Sequence, residues 1–281
     1  MLIDLHAHST ASDGTDAPAG LVRAGAAAGL DVLAITDHDT TLGWAEAVDA
    51  LPAGLTLVRG AELSCTHEGI SLHVLAYLFD PGHAELTDLM ERIRDDRVPR
   101  AQEMVRRLEA AGYPVTWQSV SALVTAGATV GRPHIADALV AAGAVANRDE
   151  AFAELLHGRS PYFVRHFAAD PLDVVRLVRA AGGVTVFAHP AASRRGRTVA
   201  FDVIGDMSAA GLAGLEVDHP DHDASERARL RALAADLGLL VTGSSDYHGT
   251  GKTNRLAEET TAPEVFEALV AAASGVGLVA A

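Results

Sequence analysis

Apolar runs in this chain repeatedly end in histidine and carboxylate. The first, Leu2-Ile3-Asp4-Leu5, leads into His6-Ala7-His8. Others lead into Thr36-Asp37-His38-Asp39, Glu62, Phe187-Ala188-His189 and Ser245-Asp246-Tyr247-His248. A strand turns alternate side chains to one face, so His6 and His8 point the same way, as do Asp246 and His248. Imidazoles and carboxylates at several strand ends are the donor set of a multi-metal site. A fold that uses them together must bring those ends to one point.

Seven runs read as strands: Leu2–Leu5, Val32–Thr36, Leu55–Val58 leading to Glu62, Leu72–Leu78, Val184–Ala188, Leu215–Val217 and Leu239–Thr242. Most are separated by alanine-rich stretches of helical period, such as Pro18–Ala28, Pro171–Ala181 and Ala224–Leu237. Asp170-Pro171 supplies an N-cap with proline at the first helical position, and Gly182-Gly183 a stop. Strand and helix in alternation predict parallel βα units. An open doubly wound sheet would struggle to converge six strand ends, so the expected fold is an α/β barrel, a distorted (β/α)7 barrel with its chemistry at the C-terminal ends of the strands. From about Pro81 to Ser160 the rhythm breaks into helical patterns (Glu85–Ala111, Gln118–Ala126, Ile135–Ala142, Glu150–Leu156) with little strand signal. The expected organisation is therefore a first barrel part over 1–80, a helical insertion between strands 4 and 5 over 81–160, and a second barrel part over 161–281. Pro263–Ala273 reads as a closing helix.

The net charge of −15 argues against binding duplex DNA, which calls for a basic surface. A small phosphorylated substrate stays compatible with it, because bound divalent cations reverse the sign locally. The single cysteine, Cys65, rules out an intramolecular disulfide and fits a reducing compartment. No apolar run reaches the ~20 residues of a membrane span. Histidines that begin at His6 leave no room for a cleaved leader. A cytoplasmic protein with no membrane partner is expected.

Of 13 histidines, His67, His83, His157 and His166 fall in loops or on helical surfaces. His219 and His222 follow the sixth strand on the face expected to line a pocket. His6, His8, His38, His73, His134, His189 and His248 sit at strand ends or at the helix start Arg132-Pro133-His134, and as a set they predict a metal centre. Nitrogen and oxygen donors without thiolate suit Zn²⁺, Mn²⁺ or Fe²⁺. A carboxylate must hold two such ions together, and Glu62 is the candidate bridge. Arg132 is a candidate phosphate clamp. Ser193-Arg194-Arg195-Gly196-Arg197 leaves the fifth strand beside the expected site, and Arg197 is the candidate contact for a second phosphate. Gly249-Thr250-Gly251-Lys252-Thr253 imitates the end of a P-loop, but the upstream glycine that motif needs is Asp246.

Together, His6-Ala7-His8, Thr36-Asp37-His38-Asp39, Gly60-Ala61-Glu62, His73, Arg132-Pro133-His134, Ala188-His189-Pro190 and Ser245-Asp246-Tyr247-His248 resemble the polymerase and histidinol phosphatase (PHP) superfamily. The likeness is greatest to its bacterial stand-alone branch of 3′,5′-nucleoside bisphosphate phosphatases and 5′→3′ exoribonucleases. The resemblance implies two to three divalent metal ions (Mn, Fe or Zn). It places the first on His6, His8, Glu62 and Asp246, the second on Glu62, His73 and His134, and the third on Asp13, His38 and His248. It makes Asp246 part of the catalytic machinery and His189 a phosphate contact or general acid. The implied reaction is attack by a metal-bridging hydroxide on the 5′-phosphate of a nucleoside bisphosphate or a short RNA 5′ end. Asp13 stands where histidinol phosphatases tend to carry histidine, which favours the nucleotide branch. Histidinol-phosphate phosphatase, AMP phosphatase and a metal-binding regulatory protein are the alternatives.

Overall fold

The computed structural model describes residues 1–281, the side chain of Arg195 excepted. The elements run β1 (Ile3–Asp4), α1 (Pro18–Ala27), β2 (Val32–Ile35), α2 (Trp44–Asp49), β3 (Thr56–His67), β4 (Ile70–Tyr77), α3 (Ala84–Ala110), α4 (Trp117–Ser121), α5 (Arg132–Ala141), α6 (Arg148–Ala151), α7 (Pro171–Ala180), β5 (Val184–Phe187), α8 (Phe201–Ala210), β6 (Gly214–Asp218), α9 (Ala224–Leu237), β7 (Leu240–Gly243), α10 (Pro263–Ala272) and β8 (Val279–Ala280). The predicted caps form at α7, where the Asp170 side chain accepts from the Leu172 N–H.

Strands β1 to β7 follow one another around the sheet in chain order. Beyond β7, Tyr247 pairs in parallel with Ala7, and the His8 N–H reaches the Tyr247 carbonyl at 2.8 Å. These contacts bring the first and last strands together and all but close a distorted (β/α)7 barrel. Side chains alternate as the pleat requires. Val32 and Ala34 of β2 join Ile3, Leu5, Leu75, Tyr77 and Val186 in the barrel interior, where Phe266 and Leu269 of α10 also pack. Leu33 and Ile35 face outward to the surrounding helices.

Two strand expectations need correction. β4 is antiparallel to both β3 and β5, so the units are not all parallel. β3 also runs on through polar Ser64–His67, past the apolar run, and turns at Glu68-Gly69, both at positive φ. In addition, an eighth strand, β8, pairs with β3 off the barrel path; two residues carry no sequence period to find it by. Reversing β4 has a structural effect. The chain leaves Tyr77 at the end of the barrel away from Glu62, and α3 then climbs back along the barrel wall. Its 27 residues span roughly 40 Å at 1.5 Å each. Helices α3 to α6 enclose an apolar cluster of their own, built on Met104, Leu108, Ile135, Leu139 and Leu156.

Arg97 joins α3 to the barrel. Its Nη2 donates to Asp39 Oδ2 at 2.7 Å and to Ser64 Oγ at 2.6 Å, and Asp39 also accepts from the Ser64 N–H. Both ionic partners are buried. Removing one leaves the other uncompensated, so Arg97→Ala is expected to cost about 3–5 kcal/mol in urea unfolding. A loss under about 1 kcal/mol would show that the pair does not carry this junction.

Candidate metal centre

Glu62 lies near the middle of β3, about 1% exposed. Five imidazoles surround its carboxylate. His73 Nδ1 lies 2.8 Å and His189 Nε2 3.0 Å from Oε1. His8 Nε2, His38 Nδ1 and His6 Nε2 lie 3.1, 3.2 and 3.3 Å from Oε2. Burial alone would raise its pKa, but His73, His38 and His6 hold the carboxyl well below its ordinary value. Next to it, His6 Nε2 and His8 Nε2 are each 3.4 Å from Asp246 Oδ1. On the far side His248 Nε2 is 3.3 Å and His38 Nε2 3.7 Å from the Asp13 carboxylate, and His8 Nδ1 3.6 Å. Four overlapping donor groups result, sharing His6, His8, His38 and Glu62. Reversed β4 still delivers His73 to the common end, because His73 sits early in that strand, opposite Ser64.

His134 does not join Glu62 and His73. Its Nδ1 accepts the Gly131 N–H at 3.1 Å at the start of α5, and the carboxylates acting on it are Asp13 and Asp137. With Nδ1 occupied as an acceptor, the neutral ring carries its proton on Nε2, where it is a donor and not a metal ligand. Glu62 shares one donor group with His38 and His73 and another with His6 and His189, and His134 is in neither. His134→Ala is expected to leave the bound-metal count unchanged by elemental analysis, whereas His73→Ala lowers it. A loss of metal in His134→Ala would restore its ligand role.

Arg132 Nη1 donates to the Leu156 carbonyl at 2.9 Å, and its guanidinium faces Phe152 and Phe163. Arg197 is exposed and makes no ion pair among the described residues. His219 Nε2 lies 3.4 Å from Asp246 Oδ2, and His222 accepts the Ala191 N–H.

Residues 4–157 match the PHP domain family. The chain belongs to that family. It is 35% identical over 246 residues to a 5′-3′ exoribonuclease of Haemophilus influenzae, covering 87% of this chain and 89% of the relative. It is 34% identical over 254 residues to a 3′,5′-nucleoside bisphosphate phosphatase of Chromobacterium violaceum, covering 90% and 89%. A solved structure from Bifidobacterium adolescentis, described as a metal-dependent phosphoesterase, superposes with a TM-score of 0.92 at 39% identity over 97% of this chain and 96% of that one.

The donors of this PHP chain fit divalent cations. His38 Nδ1 is buried and makes no hydrogen bond, though Glu62 Oε2 is 3.2 Å away. His6 Nε2 and His8 Nε2 face each other at 3.1 Å with carboxylates on either side. With Nδ1 given to Glu216, a neutral His6 presents its Nε2 lone pair to this cluster. Three donors lie close together in each of four overlapping groups: His6–Glu62–His189, His6–His8–Asp246, His38–Glu62–His73, and His8–Asp13–His38 with His248 as a fourth.

Several working parts of the site lie outside the sequence reading. Glu216, fully buried in β6, takes His6 Nδ1 at 2.9 Å and the His189 N–H at 2.7 Å. Burial raises its pKa, but His6 and neighbouring imidazoles bring it down to about 2. Glu216 thereby holds the His6 ring with Nε2 free for a metal. A glutamate within an apolar strand was the available signal, since buried charge needs a partner. Asp37 accepts from Ser9 and Ser12 and braces the His8 loop. Lys252, from the rejected P-loop mimic, places Nζ 2.7 Å from Asp246 Oδ2. His189 and Asp246 hold φ of 33° and 52°, strain found at functional sites. Glu216→Ala is expected to weaken metal affinity about 10–100-fold in a chelator competition. Unchanged affinity would reduce Glu216 to a packing residue.

Proposed function

We propose that this PHP hydrolase removes the 5′-phosphate from 3′,5′-nucleoside bisphosphates and acts on the 5′ ends of short RNA, with two or three divalent cations of Mn, Fe or Zn type. The observation that carries the reading is the Glu62 carboxylate with five imidazoles within 3.3 Å, flanked by Asp246 and Asp13. The exoribonuclease and bisphosphate phosphatase relatives, each matched over most of both chains, support the substrate class.

In this reading His6, His8, Glu62 and Asp246 hold one cation, Glu62 and His73 a second, and Asp13, His38 and His248 a third, with His189 beside Glu62. Such cations generate a nucleophile at neutral pH and offset charge on the phosphoryl oxygens. The chain's own residues do the rest. Glu216 fixes His6, and the His248 Nδ1 bond of 2.8 Å to the Asp246 carbonyl fixes His248. His134, with its proton on Nε2, is a donor at the Asp13 edge. Lys252 brings a positive charge to Asp246, where it meets an incoming phosphate oxygen. No helix among the described residues is long and apolar enough to cross a membrane.

The test is incubation of Mn²⁺-loaded protein with 3′-phosphoadenosine 5′-phosphate, followed by identification of the product. 3′-AMP with released phosphate is expected. No turnover of this substrate or of 5′-phosphorylated short RNA, alongside turnover of histidinol phosphate, would overturn the reading.

A further inference from the structure

Beyond the junction of Arg97 with Asp39, the helical insertion also holds the short loop that carries Asp13. The Thr129 N–H donates to the Ala11 carbonyl at 3.0 Å, and Arg148 Nη1 donates to the Asp13 carbonyl at 3.2 Å. Arg148 opens α6, and its guanidinium is fixed from behind. Its Nε and Nη2 each donate to one oxygen of Asp137, on α5, at 2.6 Å. A paired fork of this kind sets the plane and direction of the guanidinium. The same group abuts the other loop of the third donor group. A Cβ added to Gly251, just past His248, would lie 2.1 Å from Arg148 Nη1.

The Asp13 carboxylate lies 3.3 Å from His248 Nε2 and 3.7 Å from His38 Nε2. Its direction follows that of its own peptide, because the carbonyl carbon and Cβ share one Cα. Asp37 braces the start of this loop through Ser9 and Ser12, and Arg148 braces its end. With Asp137 beside it, Arg148 adds little net charge next to a cation, so it orients Asp13 without repelling what Asp13 binds. Groups that orient a ligand in this way govern metal affinity although they do not touch the metal.

We propose that Arg148, held by Asp137, is a positioning residue for the third cation, and that docking of the α5–α6 corner is coupled to binding at Asp13, His38 and His248. This rests on the cation assignment proposed above. The insertion thereby becomes part of the metal centre without supplying a ligand to it. Coupling of this kind is reciprocal: if the docked corner tightens the cation, the cation tightens the corner.

The experiment counts bound Mn²⁺ by elemental analysis across a chelator series in wild type, Arg148→Gln, Arg148→Lys and Gly251→Ala, and follows amide hydrogen exchange at Thr129. In Arg148→Gln the third Mn²⁺ is expected to bind about 10–100-fold more weakly while the other two are retained. Lysine keeps the charge without the fork, so Arg148→Lys recovers only part of the loss. Gly251→Ala displaces the guanidinium with its charge intact and is expected to lose the same cation; it carries the test if Arg148→Gln does not fold. In wild type the third Mn²⁺ slows exchange at Thr129, the other tie to the loop, and in Arg148→Gln that slowing is lost. A merely structural arginine would weaken all three cations alike or none. Either of those results, or a Thr129 amide indifferent to the third Mn²⁺ in wild type, overturns the proposal. Wild type that holds only two Mn²⁺ removes this inference and leaves a two-cation hydrolase, whereas wild type that holds none defeats the functional reading itself.

Discussion

Glu62→Gln is expected to lose bound metal and, with it, about 10⁴-fold in turnover, since metal stabilisation of several kcal/mol at 1.36 kcal/mol per decade disappears. Glutamine keeps the shape and one acceptor oxygen. It turns an N–H₂ group toward the imidazoles and removes the negative charge that His73, His189, His8, His38 and His6 all face. Among the described residues no other carboxylate is placed to serve both sides. Asp246 reaches His6 and His8 but not His73, while Asp13 lies on the far side of His38. Elemental analysis alongside turnover checks the result. Full metal content with normal rates would remove Glu62 from its bridging role.

The second large effect is metal removal. At metal concentrations about a thousandfold above Kd, binding contributes about 4 kcal/mol to stability, so chelation is expected to lower the unfolding midpoint by roughly 10 °C at pH 7. Acid should deepen the loss in the chelated protein. Burial holds His38 down at about 3, and burial with Lys252 and His8 holds His248 at about 4. Both stay neutral when folded but take up protons in the unfolded chain near 6.5, so the stability they give is present above 6.5 and is lost as pH falls toward 4 and 3. His8 runs the other way. Burial lowers it, but Asp246 and Glu62 raise it to about 9, so its contribution is present below 6.5 and fades as pH rises through 9. The metal-free protein should therefore be most stable near pH 6.5, as a series of thermal melts would show. A stability that climbs steadily from pH 7 down to 4 would contradict these protonation states.

The strand ends were legible because a period of two with histidine at its end survives in any context. His6, His8, His38, Glu62, Asp246 and His248 come together as that pattern demands. His134 lies outside these groups with its Nδ1 on the Gly131 N–H, a contact that sequence cannot show. The direction of β4 was missed because Ser64–His67 interrupts the apolar run and hides a two-residue turn. Arg100 reads as an ordinary helical arginine, since nothing in a linear pattern tells a solvated guanidinium from one that packing has enclosed. Glu216 was passed over as one polar letter in an apolar strand, although its burial is what aligns His6.

The route of the chain also sets an order of assembly. Glu62 and His73 belong to one hairpin, whose tight turn lets β3 and β4 meet quickly. His6 and His8 meet Asp246 and His248 only when Ala7 pairs with Tyr247, at the opposite end of the sequence. On a ribosome the N-terminal histidines wait for nearly the whole chain to be made. Metal capture by the full donor set thus becomes a late event that marks a finished molecule, and truncated chains forfeit it.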